Sequence, residues 1–349
     1  MTNISKNMVN PLVSVIIVNW NGKELLEDCL KSVYKTTYKN KEVIVVDNAS
    51  KDDSVEYVKK NYPSARIVIN KENLGFAEGN DVGFLQAKGD AILFLSNDTL
   101  VEKNVIDILI KTLYSSSTIG AVMPKILQYP QKEKIDSVGS FFLNSGFLYH
   151  YGHDQKDQKQ FNKKQEIFSM KGACMLFKKE VIKKVGKLGI FDKDYFAYFE
   201  ETDLCHRVWL SGYKVLCEPS TAIYHKGGRT SKRINYAWIQ YNSFKNRIAT
   251  YIKNFEVQNI LTVLPLHLIF CEVTSFGYLA KFKFNESWGI QKAIFWNIIH
   301  LNETLAKRKV IQTTMRKIPD SEFLPKLTWH VRLSYYYYLF TGHLDRYKE

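Results

Sequence analysis

Two stretches of the sequence place a carboxylate after an apolar run. In EVIVVDN, Asp47 follows the last apolar residue directly. In AILFLSNDT, Asp98 follows the apolar run after Ser96 and Asn97. If both runs are strands of one parallel sheet, the two carboxylates open onto the same crevice at the strand ends. One of them could then accept hydrogen bonds from a nucleobase or ribose. The other could hold a divalent cation, because Mg²⁺ is often bound by one or two carboxylates together with substrate phosphates.

A second group of titratable residues lies further along the chain. Glu200, Glu201 and Asp203 follow the aromatic stretch YFAYF, at the predicted start of a helix. Acidic residues stabilise a first helical turn, but a carboxylate partly desolvated among aromatic rings could also act as a general base. His225, in IYHKGG, is either a core or capping histidine or a third contributor to a metal–diphosphate site.

Short aliphatic runs predict the elements that position these residues. Residues 13–18, 42–46, 66–69 and 91–95 are rich in Val, Ile and Leu and are bounded by polar residues, which is typical of buried strands. Patterns typical of amphipathic helices separate the first three. This alternation predicts an α/β fold with a mostly parallel, doubly wound sheet.

Polar residues follow each predicted strand where a ligand would bind. Outside the two carboxylates, they are Asn19, Asn21, Asn73 and Asn97. The stretch NLGFAEGNDVGF adds Asn80 and three glycines, which allow close approach of the backbone to a ligand. The same spacing is common in turns and packed helices, and it is not the GxGxxG of a dinucleotide fold.

Composition limits the class of protein. The chain has 349 residues, 45% of them apolar and 24% charged, which predicts one large folded domain with an appendage. Its five cysteines lack CxxC spacing and are odd in number, so neither a disulfide framework nor a zinc site is expected. The apolar stretch near the N-terminus is too short for a signal peptide, and we expect a cytoplasmic protein.

The basic excess is concentrated in the last third. Residues 226–349 carry 19 Lys and Arg against 8 Asp and Glu, whereas residues 1–225 carry 30 against 27. We expect a helical, aromatic-rich region that associates with an anionic membrane surface, and no nucleic-acid partner, because no nucleic-acid motif accompanies the charge. Residues 259–280 are long enough to span a membrane, but Pro265, His267 and Glu272 favour a peripheral or packed helix.

Several of these stretches, in this order, resemble the family-two glycosyltransferases with the GT-A fold, particularly rhamnosyltransferase-like members. The resemblance covers roughly residues 11–230. The matching stretches are VSVIIVNWNGKELLEDCLKSV, EVIVVDNASKDDS, NLGFAEGNDVGF, FLSNDT, KGACMLFKKEVIKKVGKLGIFDKDYFAYFEETDLCHRVWLSGYKV and YHKGG.

The resemblance implies roles for the residues singled out above. Asp98 would be the retained acidic position of a DXD-type motif, and His225 a ligand of Mg²⁺, Mn²⁺ or the diphosphate. Asp47 would contact the nucleotide base, and the donor pocket would include Asn19, Asn21, Asn73, Asn80 and Asn97. Glu201 would be the catalytic base with Glu200 as its competitor, while Asp203 would support the helix start or the acceptor. Ser96 at the first motif position departs from the family pattern and removes one carboxylate from the metal site.

The expected function is inverting transfer of a sugar from a nucleoside-diphosphate sugar, such as dTDP-rhamnose or a UDP-sugar. The acceptor would be a hydroxyl of a saccharide or lipid-linked saccharide in cell-surface polysaccharide synthesis, at the inner face of the cytoplasmic membrane. The predicted domains are a GT-A domain over 1–235 and a helical, basic region over 236–349. A sugar nucleotidyltransferase and a non-catalytic binding protein remain alternatives, although NWNGKE is a poor triphosphate loop. The oligomeric state is left open.

Overall fold

The computed structural model describes residues 10–227, 235–341 and 347, without the side chains of residues 340 and 341. Three sequence predictions reach beyond these residues. The N-terminal nine residues, residues 228–234 of the predicted GT-A domain with the last glycine of YHKGG, and the end of the basic tail lie outside the described part of the chain.

Strands and helices alternate through the first part of the chain. They are β1 (Val13–Asn19), α1 (Lys23–Tyr34), β2 (Lys41–Asp47), α2 (Ser54–Asn61), β3 (Arg66–Ile69), α3 (Gly75–Gln86), β4 (Ala91–Leu95), β5 (Thr99–Val101) and α4 (Val105–Leu113). The next elements are β6 (Ile119–Gln128), β7 (Ile135–Ser137), β8 (Ser140–Phe142), β9 (Leu148–His150), β10 (Gln165–Glu166), β11 (Cys174–Lys178), α5 (Lys179–Val185), α6 (Glu200–Leu210) and β12 (Lys214–His225).

One large sheet organises this part of the chain, with strand order β10-β12-β6-β11-β4-β1-β2-β3. The four strands predicted from sequence form its parallel part, in which β1 lies between β2 and β4 and β2 pairs with β3. β11 runs antiparallel to both β4 and β6, so the other half of the sheet is mixed. The α/β class and the doubly wound parallel strands are therefore confirmed.

Helices make up the rest of the described chain. They are α7 (Tyr236–Asn254), α8 (Val257–Leu279), α9 (Phe284–Ile299), α10 (Leu301–Val310), α11 (Asp320–Leu327) and α12 (Leu333–Thr341). Buried Phe255 packs edge-on against Phe142 of β8 and His206 of α6, so the helices share a core with the sheet. Within the described residues, α8 alone has the length and composition to cross a membrane.

Candidate active site

A cavity of about 650 Å³ opens where the parallel strands end. Its floor includes Asn48, Asn73 and the Ser96–Asp98 segment, which follow β2, β3 and β4. Residues 196–201 and Trp238 of α7 also line the cavity. The cavity therefore lies at the crevice that the strand pattern predicts for a ligand.

Antiparallel pairing brings Asp98 and His225 together. β5 begins one residue after Asp98, and its Thr99 pairs with His225 at the end of β12. His225 Nε2 lies 3.3 Å from Asp98 Oδ1, and Ser96 Oγ donates a hydrogen bond to the same oxygen at 2.6 Å. The serine that replaces a carboxylate in the DXD-type motif thus orients the carboxylate that remains.

A second carboxylate holds the other side of the histidine ring. His225 Nδ1 lies 2.8 Å from Asp136 Oδ2, and Lys171 Nζ donates to Asp136 Oδ1 at 2.6 Å. Burial by itself lowers the pKa of His225, but hydrogen bonds to Asp136 and Asp98 outweigh it and raise that pKa to about 9. His225 is consequently an imidazolium at neutral pH, fixed between two carboxylates.

Asp98 and His225 fit a divalent cation that takes most of its ligands from the substrate. Both line the cavity, and together they offer one carboxylate oxygen and one imidazole nitrogen. Across the described ranges, no cluster of three His, Cys, Asp or Glu side chains forms a ready-made metal cage. The remaining positions would fall to diphosphate oxygens and water. Coordination by Nε2 would also displace its proton.

A hydrogen-bonded network fixes the donor side of the cavity. Asn97 Nδ2 donates to Asn19 Oδ1 at 2.8 Å, and Asn19 Nδ2 contacts Asp47 Oδ1 at 3.4 Å. Asp47 also accepts from the backbone of Ser50 at 2.9 Å. Asn97 lines the cavity, whereas Asn19 and Asp47 lie beneath it, 1% and 2% exposed. The network therefore couples the ends of β1, β2 and β4.

The other predicted asparagines differ in where their side chains point. Asn73 lines the cavity and accepts from Asn48 Nδ2 at 3.2 Å and from the backbone of Gly75 at 3.0 Å. Asn21 instead accepts from the Lys51 backbone at 2.7 Å, away from the cavity lining. Asn80 is 1% exposed and donates to a backbone carbonyl of its own helix. Asn73 and Asn97 thus lie at the cavity surface, whereas Asn21 and Asn80 lie outside the cavity lining.

Glu200 and Glu201 lie in the first turn of α6 and line the same cavity as Asp98. Glu200 is 5% exposed and its Oε2 has no hydrogen-bond partner among the described residues, whereas Glu201 keeps more of its surface open. Burial raises the pKa of Glu200 well above its usual value, and the charge of Glu201 adds to this shift. Burial also raises the pKa of Glu201, to about 7. Burial therefore favours the neutral form of Glu200, and Glu201 is poised to exchange a proton.

Helix α7 holds the strained segment that precedes these glutamates. Phe196, Tyr198 and Phe199 all have positive φ, at 46°, 72° and 70°, which is costly for residues with side chains. Asn246 Nδ2 of α7 contacts the carbonyls of residues 195, 197 and 198 at 2.6–3.1 Å. At Gly75, where φ is +74°, a Cβ would lie 2.5 Å from the Phe196 carbonyl. One amide of the helical region and one glycine of α3 thus set the path of this base segment, residues 195–199.

Asp203 belongs to a buried ion cluster below the base segment and does not line the cavity. Its Oδ2 lies 2.9 Å from Arg207, and its Oδ1 lies 3.2 Å from Lys253 of α7. Lys253 also pairs with Asp192 at 2.5 Å. Burial opposes ionisation of Asp203, but the charges of Lys253 and Arg207 prevail and lower its pKa. These ion pairs hold Asp203 in the first turn of α6, outside the cavity lining.

Sequence reasoning missed Asp136, Lys171, Trp238 and Asn246. Lys171 begins the KGAC stretch, so it could have been selected as a cation next to a predicted site. Asp136 lies at a register irregularity between β6 and β7, and no motif surrounds it. Trp238 and Asn246 reach the site only through the packing of α7. A sequence pattern without tertiary contacts gives no signal for such residues.

Comparison with known proteins agrees with this geometry. The chain has the GT-A glycosyltransferase fold. It superimposes with a TM-score of 0.57 and 18% identity on GalNAc-T7, solved with UDP, GalNAc and Mn²⁺, over 73% of this chain and 49% of that one. A mannosyltransferase from Pyrobaculum calidifontis, solved with GDP-Man and Mn²⁺, superimposes with a TM-score of 0.53 and 16% identity. The match covers 96% of this chain and 84% of that one.

Residues 14–186 belong to glycosyl transferase family 2, whose family model they match. An uncharacterised glycosyltransferase of Rickettsia typhi is 30% identical over 58% of this chain, which spans 59% of that relative's length. One from Rickettsia prowazekii is 24% identical over 90% of this chain and 97% of its own. The N-acetylglucosaminyl-diphospho-decaprenol L-rhamnosyltransferase of Mycobacterium tuberculosis is 22% identical over 64% of this chain and 78% of its own length. The family and fold implied by the sequence motifs are thus confirmed.

Proposed function

We propose that this chain transfers a sugar from a nucleoside-diphosphate sugar to an acceptor hydroxyl, with inversion at the anomeric carbon. One observation carries the proposal: the Asp98–His225 pair and Glu201 line the same cavity. The first suits the diphosphate of the donor. The second suits a hydroxyl nucleophile.

In the proposed reaction, the Glu201 carboxylate accepts the proton of the acceptor hydroxyl. The acceptor oxygen forms a bond to the anomeric carbon as the bond from that carbon to the diphosphate oxygen breaks. The leaving nucleoside diphosphate takes the electron pair of the broken bond. Asn73 and Asn97 orient the donor, and the burial of Glu200 disfavours a second negative charge beside the base.

Asp98 and His225 would hold a Mg²⁺ or Mn²⁺ ion, and Asp136 would keep the imidazole ring in place. The ion would supply Lewis-acid stabilisation of the negative charge on the leaving group. The Mn²⁺ in the GalNAc-T7 and mannosyltransferase structures supports this assignment.

A lipid-linked saccharide in cell-surface polysaccharide synthesis, with dTDP-rhamnose or a UDP-sugar as donor, is the proposed substrate pair. The name of the M. tuberculosis relative supports it, because that name gives an N-acetylglucosaminyl-diphospho-decaprenol and the transfer of L-rhamnose. A location at the inner, anionic surface of the cytoplasmic membrane fits the exposed apolar side chains of α8, including Leu261, Ile269, Val273 and Phe276, each at least 59% exposed. Co-sedimentation with phosphatidylglycerol vesicles at low salt tests this location, and equal recovery with and without vesicles would contradict it.

Release of nucleoside diphosphate from a panel of UDP-, dTDP- and GDP-sugars tests the proposed reaction. Wild type should release it slowly from one donor even without acceptor, provided that Mg²⁺ or Mn²⁺ is present. Asp98→Ala should abolish that release, whereas wild type with chelator should resemble the variant. The absence of release from every donor, together with no stabilisation by any nucleoside diphosphate, would contradict the proposal.

A further inference from the structure

A second cavity, of about 640 Å³, lies between α7 and α9. The two helices touch at Gly289, where a Cβ would lie 2.6 Å from the Ala237 carbonyl oxygen. Large side chains surround this contact and form the walls of a groove. Its aromatic members are Trp238, Tyr241, Trp288, Phe295 and Trp296.

One end of the α7–α9 groove adjoins the catalytic cavity. Asn235 and Trp238 line both spaces. The Trp238 ring also packs against Phe196 at 5.5 Å and Tyr198 at 6.1 Å, both in the base segment. A molecule in the groove would therefore reach the glutamates by passing Trp238.

The end away from Trp238 opens on apolar surface, where Phe295 is 62% exposed and Ile299 59%. Trp288, next to the Gly289 contact with Ala237, is 59% exposed. Lys292 is the one charged residue among those that line the groove, and it is exposed to solvent. The apolar walls suit a hydrocarbon chain, and Lys292 suits an anionic group attached to that chain. A cavity of several hundred Å³ with mostly apolar walls is typical of a small-molecule site.

We propose that the α7–α9 groove binds the hydrocarbon chain of a lipid-linked acceptor and directs its sugar past Trp238 to Glu201. The inference rests on the proposed function and deepens it, because it selects a lipid-linked acceptor over a free saccharide. The shared wall at Trp238 supplies the path, and none of the described residues that line the groove is acidic, so none of them repels a lipid phosphate.

Calorimetric titration of the full chain with farnesyl phosphate, kept below its micelle concentration, tests the groove directly. Wild type should bind this probe, and Trp288→Ala should weaken binding about tenfold because apolar contact is lost. Ile299→Glu, which places a negative charge at the open end, provides a second variant should Trp288→Ala fold poorly. Phe282→Ala is the matched control, since Phe282 is 81% exposed and lies outside the groove lining.

The inference would be overturned if wild type did not bind the probe, or if the groove variants bound it as tightly as wild type. An equal loss of affinity in Phe282→Ala would indicate nonspecific adsorption and would overturn it as well. Inorganic phosphate alone should bind at least about tenfold more weakly than farnesyl phosphate, because the chain contributes the apolar contact. Comparable binding of phosphate would assign the site to a headgroup and also overturn the inference. Donor release is measured separately, so failure of the groove is distinguishable from failure of the transferase proposal.

Discussion

The strand ends and the C-terminal helices contribute to one cavity in different ways. Asn73, Asn97 and Asp98 follow strands, so their side chains reach the ligand crevice by the geometry of the sheet. The helical region instead acts largely through Asn246, which contacts the base segment, and through Lys253, which pairs with Asp192 and Asp203 on either side of that segment. The proposed diphosphate side of the site is therefore local to the sheet, whereas the proposed base side depends on packing between distant parts of the chain.

Separating the two glutamates is expected to give the largest effect. Glu201→Gln should lower kcat about a thousandfold, because it removes the general base. Glu200→Gln should retain most activity, because burial favours the neutral form of Glu200 and the amide is also neutral. Single-turnover kinetics with saturating donor would measure both. A larger loss in Glu200→Gln than in Glu201→Gln would reverse the assignment.

Lys253 tests whether the helical region stabilises the sheet domain. Lys253→Met should reduce the free energy of unfolding by about 3 kcal/mol, because Asp192 and Asp203 lose a buried partner. Urea unfolding measures this change. Lys309→Met, an exposed lysine of α10, is the control and should stay within about 0.5 kcal/mol of wild type. Similar stability of both variants would show that the ion cluster does not join the two regions.

Asn246 tests positioning by the helical region without contact to substrate. Asn246→Leu keeps the volume but removes the amide that contacts three carbonyls of the base segment. We expect kcat to fall about 30-fold, since small displacements of a reacting group are costly. The donor KM and the stabilisation by nucleoside diphosphate should stay near wild type. An increase in KM with kcat unchanged would assign Asn246 to the donor side instead.

The pH dependence should give the smallest effect, about tenfold per pH unit. Glu201 has a pKa of about 7 and must be ionised to accept a proton, so kcat/KM should rise with pH through 7 and level off above it. A pH–rate profile between 5.5 and 8.5 measures this slope. A flat profile would mean that Glu201 does not carry the proton transfer.

The parallel strands and the residues after them could be predicted because their signals are local. A run such as AILFL and the SND that follows it are adjacent in sequence, and parallel pairing brings their ends together. The mixed half of the sheet gives no comparable signal in the sequence. Asp136 reaches His225 only through pairing of β6 with β7 and β12, and Asn246 reaches the base segment only when α7 packs there. Contacts between residues so far apart depend on the whole tertiary structure.

Binding of nucleoside diphosphate to wild type and Asp98→Ala tests the central claim most directly. The account predicts that Mn²⁺ strengthens binding of one of UDP, dTDP or GDP to wild type in calorimetric titrations. In Asp98→Ala, that gain from Mn²⁺ should disappear, while the weak metal-free binding remains. An equal gain from Mn²⁺ in both proteins would contradict the claim that Asp98, at the end of its strand, holds a metal-bound diphosphate.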